Sequence, residues 1–169
     1  MILSQKPAPI KEGPGYLVAK AAVAFATAFG CGYAKKAPGT AGSIPGLAIG
    51  AALALWNPDL LIKILAVGII IAIAFVSIFI TEKVWDTHDD QRIVIDEVAG
   101  QAIATAFLPF SWPGILISFL LFRFFDIWKP GPIGWADASL PGVWGTLIDD
   151  LLAGALAGFV TWILVIYVF

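Results

Sequence analysis

The apolar stretch 60–80, LLIKILAVGIIIAIAFVSIFI, constrains the fold more than any other part of the chain. Its 21 residues include a single charged side chain, Lys63. A helix of this length rises far enough to cross a bilayer core of about 30 Å. The whole chain is similarly apolar, with 60% hydrophobic and 13% charged residues and a mean hydropathy of +0.92. The sequence therefore predicts a helical integral membrane protein.

Shorter apolar runs, separated by Gly/Pro-rich or charged breaks, surround this stretch. They cover residues 17–29, 44–56, 93–107, 115–125 and 151–169. Several are shorter than the roughly 17 residues that a spanning helix needs, so some helices are expected to be short or broken. We predict an all-α bundle of about six helices. Residues 16–169 are expected to form one membrane-embedded domain, preceded by a flexible arm at 1–15.

The charged residues concentrate in the breaks between these runs. If each run crosses most of the membrane, the breaks at 30–43, 81–96 and 126–150 lie at one end of the bundle. That end carries Lys35, Lys36, Lys83, Arg92, Arg123 and Lys129, whereas the opposite turns have only Lys63 nearby. Because an excess of Lys and Arg marks the cytoplasmic side, the charged end is predicted to face the cytoplasm. The net charge of −2 argues against a nucleic-acid partner.

Two segments of the chain resemble each other, IDEVAGQAIA at 95–104 and IDDLLAGALA at 148–157. In each, an acidic pair is predicted to open a helix, where the helix dipole favours negative charge. Small residues follow each pair and would let the two helices approach closely. Close approach would bring Asp96, Glu97, Asp149 and Asp150 together. The alternative is two well-capped helices with no further role.

Four carboxylates in one apolar environment repel one another unless protons or a cation neutralise them. The chain has one cysteine, Cys31, and one histidine, His88, so it offers oxygen ligands rather than a thiolate or imidazole cluster. Oxygen ligands favour magnesium, manganese or calcium over zinc. One of the acids could instead act as a general base or a general acid. His88 is expected to be a solvated loop residue.

A possible phosphate-binding region complements the acids. The segment KKAPGTAGS at 35–43 is predicted to be a loop that precedes a helix. Its glycines would let the backbone approach a ligand, while Lys36, Thr40 and Ser43 would contact phosphate oxygens. Arg123 and Lys129 would add positive charge. The alternatives are that Ser43 only caps a helix and that the two cations reach outward to lipid phosphates.

Four blocks, GYAKKAPGTAGSIPG, HDDQRIVIDEVAGQ, FRFFDIWKPGPIGWAD and GTLIDDLLAG, together resemble the phosphatidylglycerophosphatase A family in motif and order. The resemblance covers residues 29–158. It implies a membrane-embedded, Mg²⁺-dependent phosphatase of the bacterial inner membrane, which converts the phospholipid phosphatidylglycerophosphate to phosphatidylglycerol and phosphate. The acidic residues of the family pattern fall on Asp89, Asp96, Glu97, Asp126, Asp149 and Asp150.

On this basis we expect Asp96, Glu97, Asp149 and Asp150 to hold the metal, with Asp89 as a further ligand. Asp126 is expected to orient Arg123 or Lys129, or to join the metal shell. The competing hypothesis is a transporter or channel for a cation or phosphate, in which buried acids line a pathway. A transporter would place its charged site near the middle of the membrane. Here every acid of the predicted site lies in or beside a break at one end.

Overall fold

The computed structural model describes residues 15–88 and 90–168, and the regular elements in this part of the chain are all helical. This confirms the predicted all-α class. The predicted arm lies outside the described residues except for Gly15. Seven α-helices and one 3-10 helix follow in order: α1 (Tyr16–Ala26), the 3-10 helix (Ala28–Tyr33), α2 (Pro38–Trp56), α3 (Leu60–Trp85), α4 (Ile95–Ala106), α5 (Trp112–Trp128), α6 (Pro132–Ser139) and α7 (Val143–Val168).

Three of these helices, α2, α3 and α7, are long and apolar enough to cross a membrane. Exposed apolar side chains cover much of their surface, for example Leu61, Ile69 and Phe159. In water such a surface would be unfavourable, but it suits contact with lipid. A membrane helical bundle therefore accounts for the architecture.

Helix α4 forms the centre of the bundle. Ten of its 12 residues are buried, and it lies between α2 on one side and α7 on the other. On the α2 side, Gly46 and Gly50 face α4, and Gly42 faces Val94 just before it, so closely that a Cβ atom at any of the three would collide. Glycine is required at these positions because only a bare backbone lets two helices approach to this distance.

The α7 side of α4 is packed in the same way. Gly154 of α7 lies against the backbone of Gly100 in α4, and Gly100 itself lies against the backbone carbonyl of Asp150. Gly158 continues this contact surface next to Ala104. The predicted role of the small residues is confirmed, because they bring the two acidic segments into contact.

The largest differences from the sequence predictions are two helix starts and one added α-helix. Helix α2 begins at Pro38 instead of residue 44, so the predicted phosphate-binding loop is largely its first two turns. Helix α7 begins at Val143 instead of residue 151. Helix α6 was not predicted. Glycine-rich sequences have low intrinsic helix propensity, but packing against neighbouring helices stabilises them here. Proline suits the first turn of α2, since its missing N–H has no helical partner there.

Candidate active site

The three charged breaks meet in one pocket of about 370 Å³. Its walls come from the start of α2, the segment before α4, the first turn of α4, the end of α5, and helices α6 and α7. Seven carboxylates line it, from Asp90, Asp96, Glu97, Asp126, Asp137, Asp149 and Asp150, together with the cations Arg123 and Lys129. The pocket is therefore strongly acidic, with two cations on its wall.

Three of the carboxylates form a compact group. One oxygen from each of Asp96, Glu97 and Asp150 lies within 4.8 Å of the other two. Asp96 and Glu97 lie in the first turn of α4, where the amide of Glu97 donates to Asp96 Oδ1 at 3.1 Å. Asp150 enters from α7 through the close contact of that helix with α4. We call Asp96, Glu97 and Asp150 the carboxylate triad.

Burial dominates the electrostatics of the α4 acids, which lie outside the three helices that are long enough to span. Removal from water, reinforced by the negative charge of Glu97, raises the pKa of Asp96 well above its ordinary value. Burial likewise raises the pKa of Glu97, even though a hydrogen bond with Asp96 and the charge of Arg123 oppose the shift. The ionised triad therefore requires compensating positive charge.

The triad fits a hard divalent cation. Its donor atoms are all carboxylate oxygens, the ligands that Mg²⁺ takes in proteins, usually with water and phosphate completing the shell. Glu97 Oε2 is buried and has no hydrogen-bond partner among the described residues. A buried carboxylate oxygen in this condition is unfavourable unless something else contacts it. Asp96, Glu97 and Asp150 are thus the residues suited to hold magnesium.

Asp149 also lines the pocket but is arranged differently from Asp150. Its Oδ2 accepts a hydrogen bond from Lys129 Nζ at 2.6 Å, and the same ammonium donates to Asp137 Oδ1 at 2.5 Å. Burial disfavours the charged ammonium, but the two carboxylates outweigh that effect and raise the pKa of Lys129. Lys129 is therefore a permanent cation, held between α6 and α7 at the pocket wall.

Arg123 provides the second positive charge. Its Nη1 lies 2.6 Å from Asp126 Oδ2, one turn further along α5, and donates to Ser43 Oγ at 3.3 Å. Its Nε is buried and has no partner within the described part of the chain. Gly39 lies against both Arg123 and Glu97, and any side chain there would collide with the Glu97 carboxylate. The bare backbone of Gly39 keeps this side of the pocket open.

The predicted phosphate-binding residues are placed unequally. Ser43 is fully buried below the pocket, where it donates to the carbonyl of Gly39 and contacts Arg123. Lys36 is exposed, and neither Lys36 nor Thr40 is among the described residues that line the pocket. Both belong to the predicted loop, but the parts of that segment on the pocket wall are Ala37, Pro38 and Gly39. The prediction for Asp89 lies outside the described residues.

Sequence reasoning missed Asp137 and gave His88 no role in the pocket. Asp137 belongs to the unpredicted helix α6, and only its position in the most charged stretch of the chain could have indicated it. His88 is exposed, as expected, but it also lines the pocket and pairs with Glu82 at 2.7 Å. Nearby, hydrogen bonds from Arg92 hold the pKa of Asp90 below its usual value and fix the segment before α4.

Fold and site together define a class of protein: a helical membrane protein whose carboxylate triad suits a metal ion and whose two pocket cations, Arg123 and Lys129, suit a phosphate group. The model of the family Phosphatidylglycerophosphatase A matches residues 24–165. The chain belongs to this family and is a phosphatase. The family assignment disfavours the transporter hypothesis.

Curated relatives cover most of the chain. The Haemophilus influenzae Phosphatidylglycerophosphatase A is 38% identical over 141 residues, which are 79% of this chain and 82% of the relative. The Escherichia coli protein of the same name is 33% identical over 134 residues, covering 79% and 77%. A Bacteroides thetaiotaomicron protein, provisionally named a phosphatidylinositol-3-phosphatase, is 32% identical over 139 residues, covering 78% and 86%. No solved structure matches the chain significantly.

Proposed function

We propose that this protein hydrolyses the terminal phosphomonoester of phosphatidylglycerophosphate, giving phosphatidylglycerol and inorganic phosphate, and that the reaction requires Mg²⁺. The observation that carries the proposal is the carboxylate triad, whose oxygens lie within 4.8 Å of one another in a pocket that also contains Arg123 and Lys129. The family match and the two relatives named phosphatidylglycerophosphatase A support this choice of substrate.

The two cations would bind and orient the phosphate. Arg123 retains a buried N–H with no partner among the described residues, and its guanidinium geometry suits two phosphate oxygens. Lys129 is anchored by Asp137 and Asp149, so its ammonium is already in position. A phosphate bound between these cations and the carboxylate triad would face Arg123 and Lys129 on one side. On the other side it would face the metal ion that the triad is proposed to hold.

In the proposed reaction a water oxygen forms a bond to phosphorus while the bond from phosphorus to the glycerol oxygen breaks. Asp149 is the proposed general base, because it lies outside the triad and its Oδ1 is buried without a partner in the described residues. Asp149 would accept the proton that the water loses, and the departing glycerol oxygen would take up a proton from solvent and leave as an alcohol. Mg²⁺ bound to the triad would supply positive charge against the phosphoryl oxygens.

Phosphate release by the purified protein in detergent micelles tests the proposal. We expect release from phosphatidylglycerophosphate that stops in EDTA, returns with Mg²⁺ and is lost in Asp150→Asn. Asp59→Asn is the matched control, because Asp59 is exposed in the turn between α2 and α3, far along the chain from the triad. Folded protein that releases no phosphate with any divalent cation would contradict the proposed activity. Full activity in EDTA would contradict the metal requirement.

We further propose a multi-pass orientation with the pocket facing the cytoplasm. The pocket end carries Lys83, Arg123 and Lys129, whereas Lys63 lies near the opposite turn and donates to Asn57 at 3.0 Å. This charge distribution follows the positive-inside rule. In intact cells, a membrane-impermeant thiol reagent should label Asn57→Cys but not Lys36→Cys, both in a Cys31→Ala background. The reverse pattern would contradict this orientation.

A further inference from the structure

A phospholipid substrate must pass out of the acidic pocket on at least one side, because its acyl chains remain in the bilayer. The contacts of α4 close two of the possible passages. Gly46 lies against α4 on the α2 side and Gly154 on the α7 side, with backbone-to-backbone contact at both. Neither of these two helix–helix contacts leaves space for a lipid chain. A lipid that reaches the pocket from the bilayer must therefore pass elsewhere.

A second cavity, of about 640 Å³, lies between the end of α3 and the start of α7. We call it the α3–α7 groove. His88 lines both the groove and the acidic pocket, so the two cavities adjoin at this side chain. The groove is also more open to the surroundings than a buried cavity, because Phe79 and Trp144 on its wall are both exposed.

The groove changes from apolar to polar along its length. At its apolar end the ring of Phe75 packs on that of Trp144, with 4.8 Å between their centres, and Phe79 lies one turn further along α3. At its polar end Glu82 pairs with His88, and Lys83 Nζ lies 3.9 Å from the centre of the Phe79 ring. This change from apolar to polar along the groove matches the part of a phospholipid in which the glycerol backbone joins the acyl chains.

The charges at the polar end further restrict the ligand. Glu82 and Asp86 are both on the groove wall with Lys83, so the wall is not a cationic site for a second free phosphate. An uncharged portion of a lipid is compatible with the apolar wall, and Lys83 is a basic side chain on the same wall that would pair with a lipid phosphodiester. The partner that fits this surface is therefore a phospholipid with its headgroup directed to His88.

We propose that the α3–α7 groove binds the glycerol backbone and the adjoining acyl segment of the phospholipid substrate, and that the substrate enters the active site sideways from the membrane along it. The inference rests on the proposed function, because it assigns the groove to the same lipid whose phosphate reaches the carboxylate triad. It also predicts that the groove contributes to binding of the lipid but not to hydrolysis of a headgroup that lacks acyl chains.

A reversible block of the groove tests this proposal. Phe79→Cys places a thiol on the groove wall, and Val76→Cys is its control on the same helix, exposed on the α1 side. Both are made in a Cys31→Ala background and treated with a benzyl methanethiosulfonate. In modified Phe79→Cys, kcat/KM for micellar phosphatidylglycerophosphate should fall about tenfold because KM rises. Hydrolysis of the deacylated headgroup substrate should stay within about twofold of its rate before modification. Dithiothreitol should restore activity, and modified Val76→Cys should change neither substrate.

Protection of the Phe79→Cys thiol from modification is a second measurement, and it does not require the enzyme to turn over substrate. Phosphatidylglycerol at about ten times its half-saturating concentration should slow modification of Phe79→Cys about tenfold, whereas its deacylated headgroup at the same concentration should not. Equal losses on the lipid and on the deacylated substrate, or no loss and no protection, would overturn the groove assignment. If folded wild-type protein never releases phosphate, the proposed function is wrong, but the groove assignment can still be tested. Protection of Phe79→Cys by phosphatidylglycerol would then support the assignment, and lack of protection would overturn it.

Discussion

The two acidic pairs look alike in sequence but are held in different ways. Asp96 and Glu97 lie in the first turn of the short, buried helix α4, where backbone N–H groups and the helix dipole favour negative charge. Asp149 and Asp150 are the seventh and eighth residues of α7, about two turns inside a helix long enough to span the membrane. The second pair does not lie at a terminus of its own helix, so its charges depend on partners from other elements.

This difference separates the roles of two adjacent residues. Neighbouring positions on an α-helix point about 100° apart, since one turn takes 3.6 residues. Asp150 accordingly joins Asp96 and Glu97, while Asp149 pairs with Lys129 at 2.6 Å. A pair of identical side chains can thus supply one candidate metal ligand and one candidate base. The following predictions test that separation, beginning with the largest expected effect.

Asp150→Asn should reduce kcat for phosphatidylglycerophosphate by about a thousandfold or more, because it removes one charged ligand from the carboxylate triad. Raising the Mg²⁺ concentration should recover part of the activity. Phosphate release over a Mg²⁺ series measures both effects, with Asp59→Asn as the control. Loss of less than about tenfold, at unchanged Mg²⁺ dependence, would place Asp150 outside the metal site.

Asp149→Asn should reduce kcat by about a hundredfold, the scale of a lost general base, and leave the Mg²⁺ concentration for half-maximal activity unchanged. The asparagine preserves the shape of the side chain and can still accept a hydrogen bond from Lys129. The same Mg²⁺ series distinguishes this variant from Asp150→Asn. If the two variants shift the Mg²⁺ dependence equally, the proposed division between them is wrong.

Gly154→Ala should separate α4 from α7 and thereby disturb the triad from a distance. The added Cβ would meet backbone atoms of Gly100, which cannot rotate away as a side chain could. We expect a loss of about 1–3 kcal/mol in the free energy of unfolding, together with about a tenfold loss of activity from displacement of Asp150. Thermal unfolding in detergent and phosphate release measure the two effects.

Gly68→Ala is the matched control for that experiment, because a Cβ at Gly68 of α3 would meet nothing within 4 Å. Alanine is the better helix former, so this variant should be neutral or slightly stabilised. Equal destabilisation of both variants would show that glycine flexibility, and not close contact with α4, governs the effect.

Asp137→Asn should have the smallest effect, about a threefold loss of activity that appears mainly in KM. Asp137 is 48% exposed and Asp149 continues to hold the Lys129 ammonium, so the cation is loosened but not released. Kinetics over a range of substrate concentrations measure the change. A loss as large as that of Asp149→Asn would show that α6 has a direct part in the reaction.

The sequence was sufficient to predict the helical class and the convergence of the acidic segments. Hydropathy identified α3 and most of α7 because the bilayer sets the minimum length of a spanning helix, but it gave only the second part of α2, from residue 44 to 56. The small residues after each acidic pair indicated the α4–α7 contact, which Gly100 and Gly154 form in the structure. These features depend on local composition, which one sequence contains in full.

The start of α2 and the presence of α6 were harder to predict from the sequence. Gly39 and Gly42 look like loop residues from propensity alone, yet α2 includes them because their bare backbones pack against Glu97 and Val94. Helix α6 depends on the left-handed backbone at Lys129 and the positive φ of Gly131, which redirect the chain after α5. Both features depend on contacts between distant segments, so one sequence without its fold does not reveal them.

The central claim is that the carboxylate triad binds a divalent cation. Electron paramagnetic resonance of Mn²⁺ added to the purified protein tests it directly, because bound and free Mn²⁺ differ in signal and no turnover is required. We predict that wild-type protein and Asp149→Asn bind Mn²⁺ and that Mg²⁺ displaces it, while Asp150→Asn does not bind at the same concentration. Equal Mn²⁺ binding by Asp150→Asn and the wild type would contradict the claim.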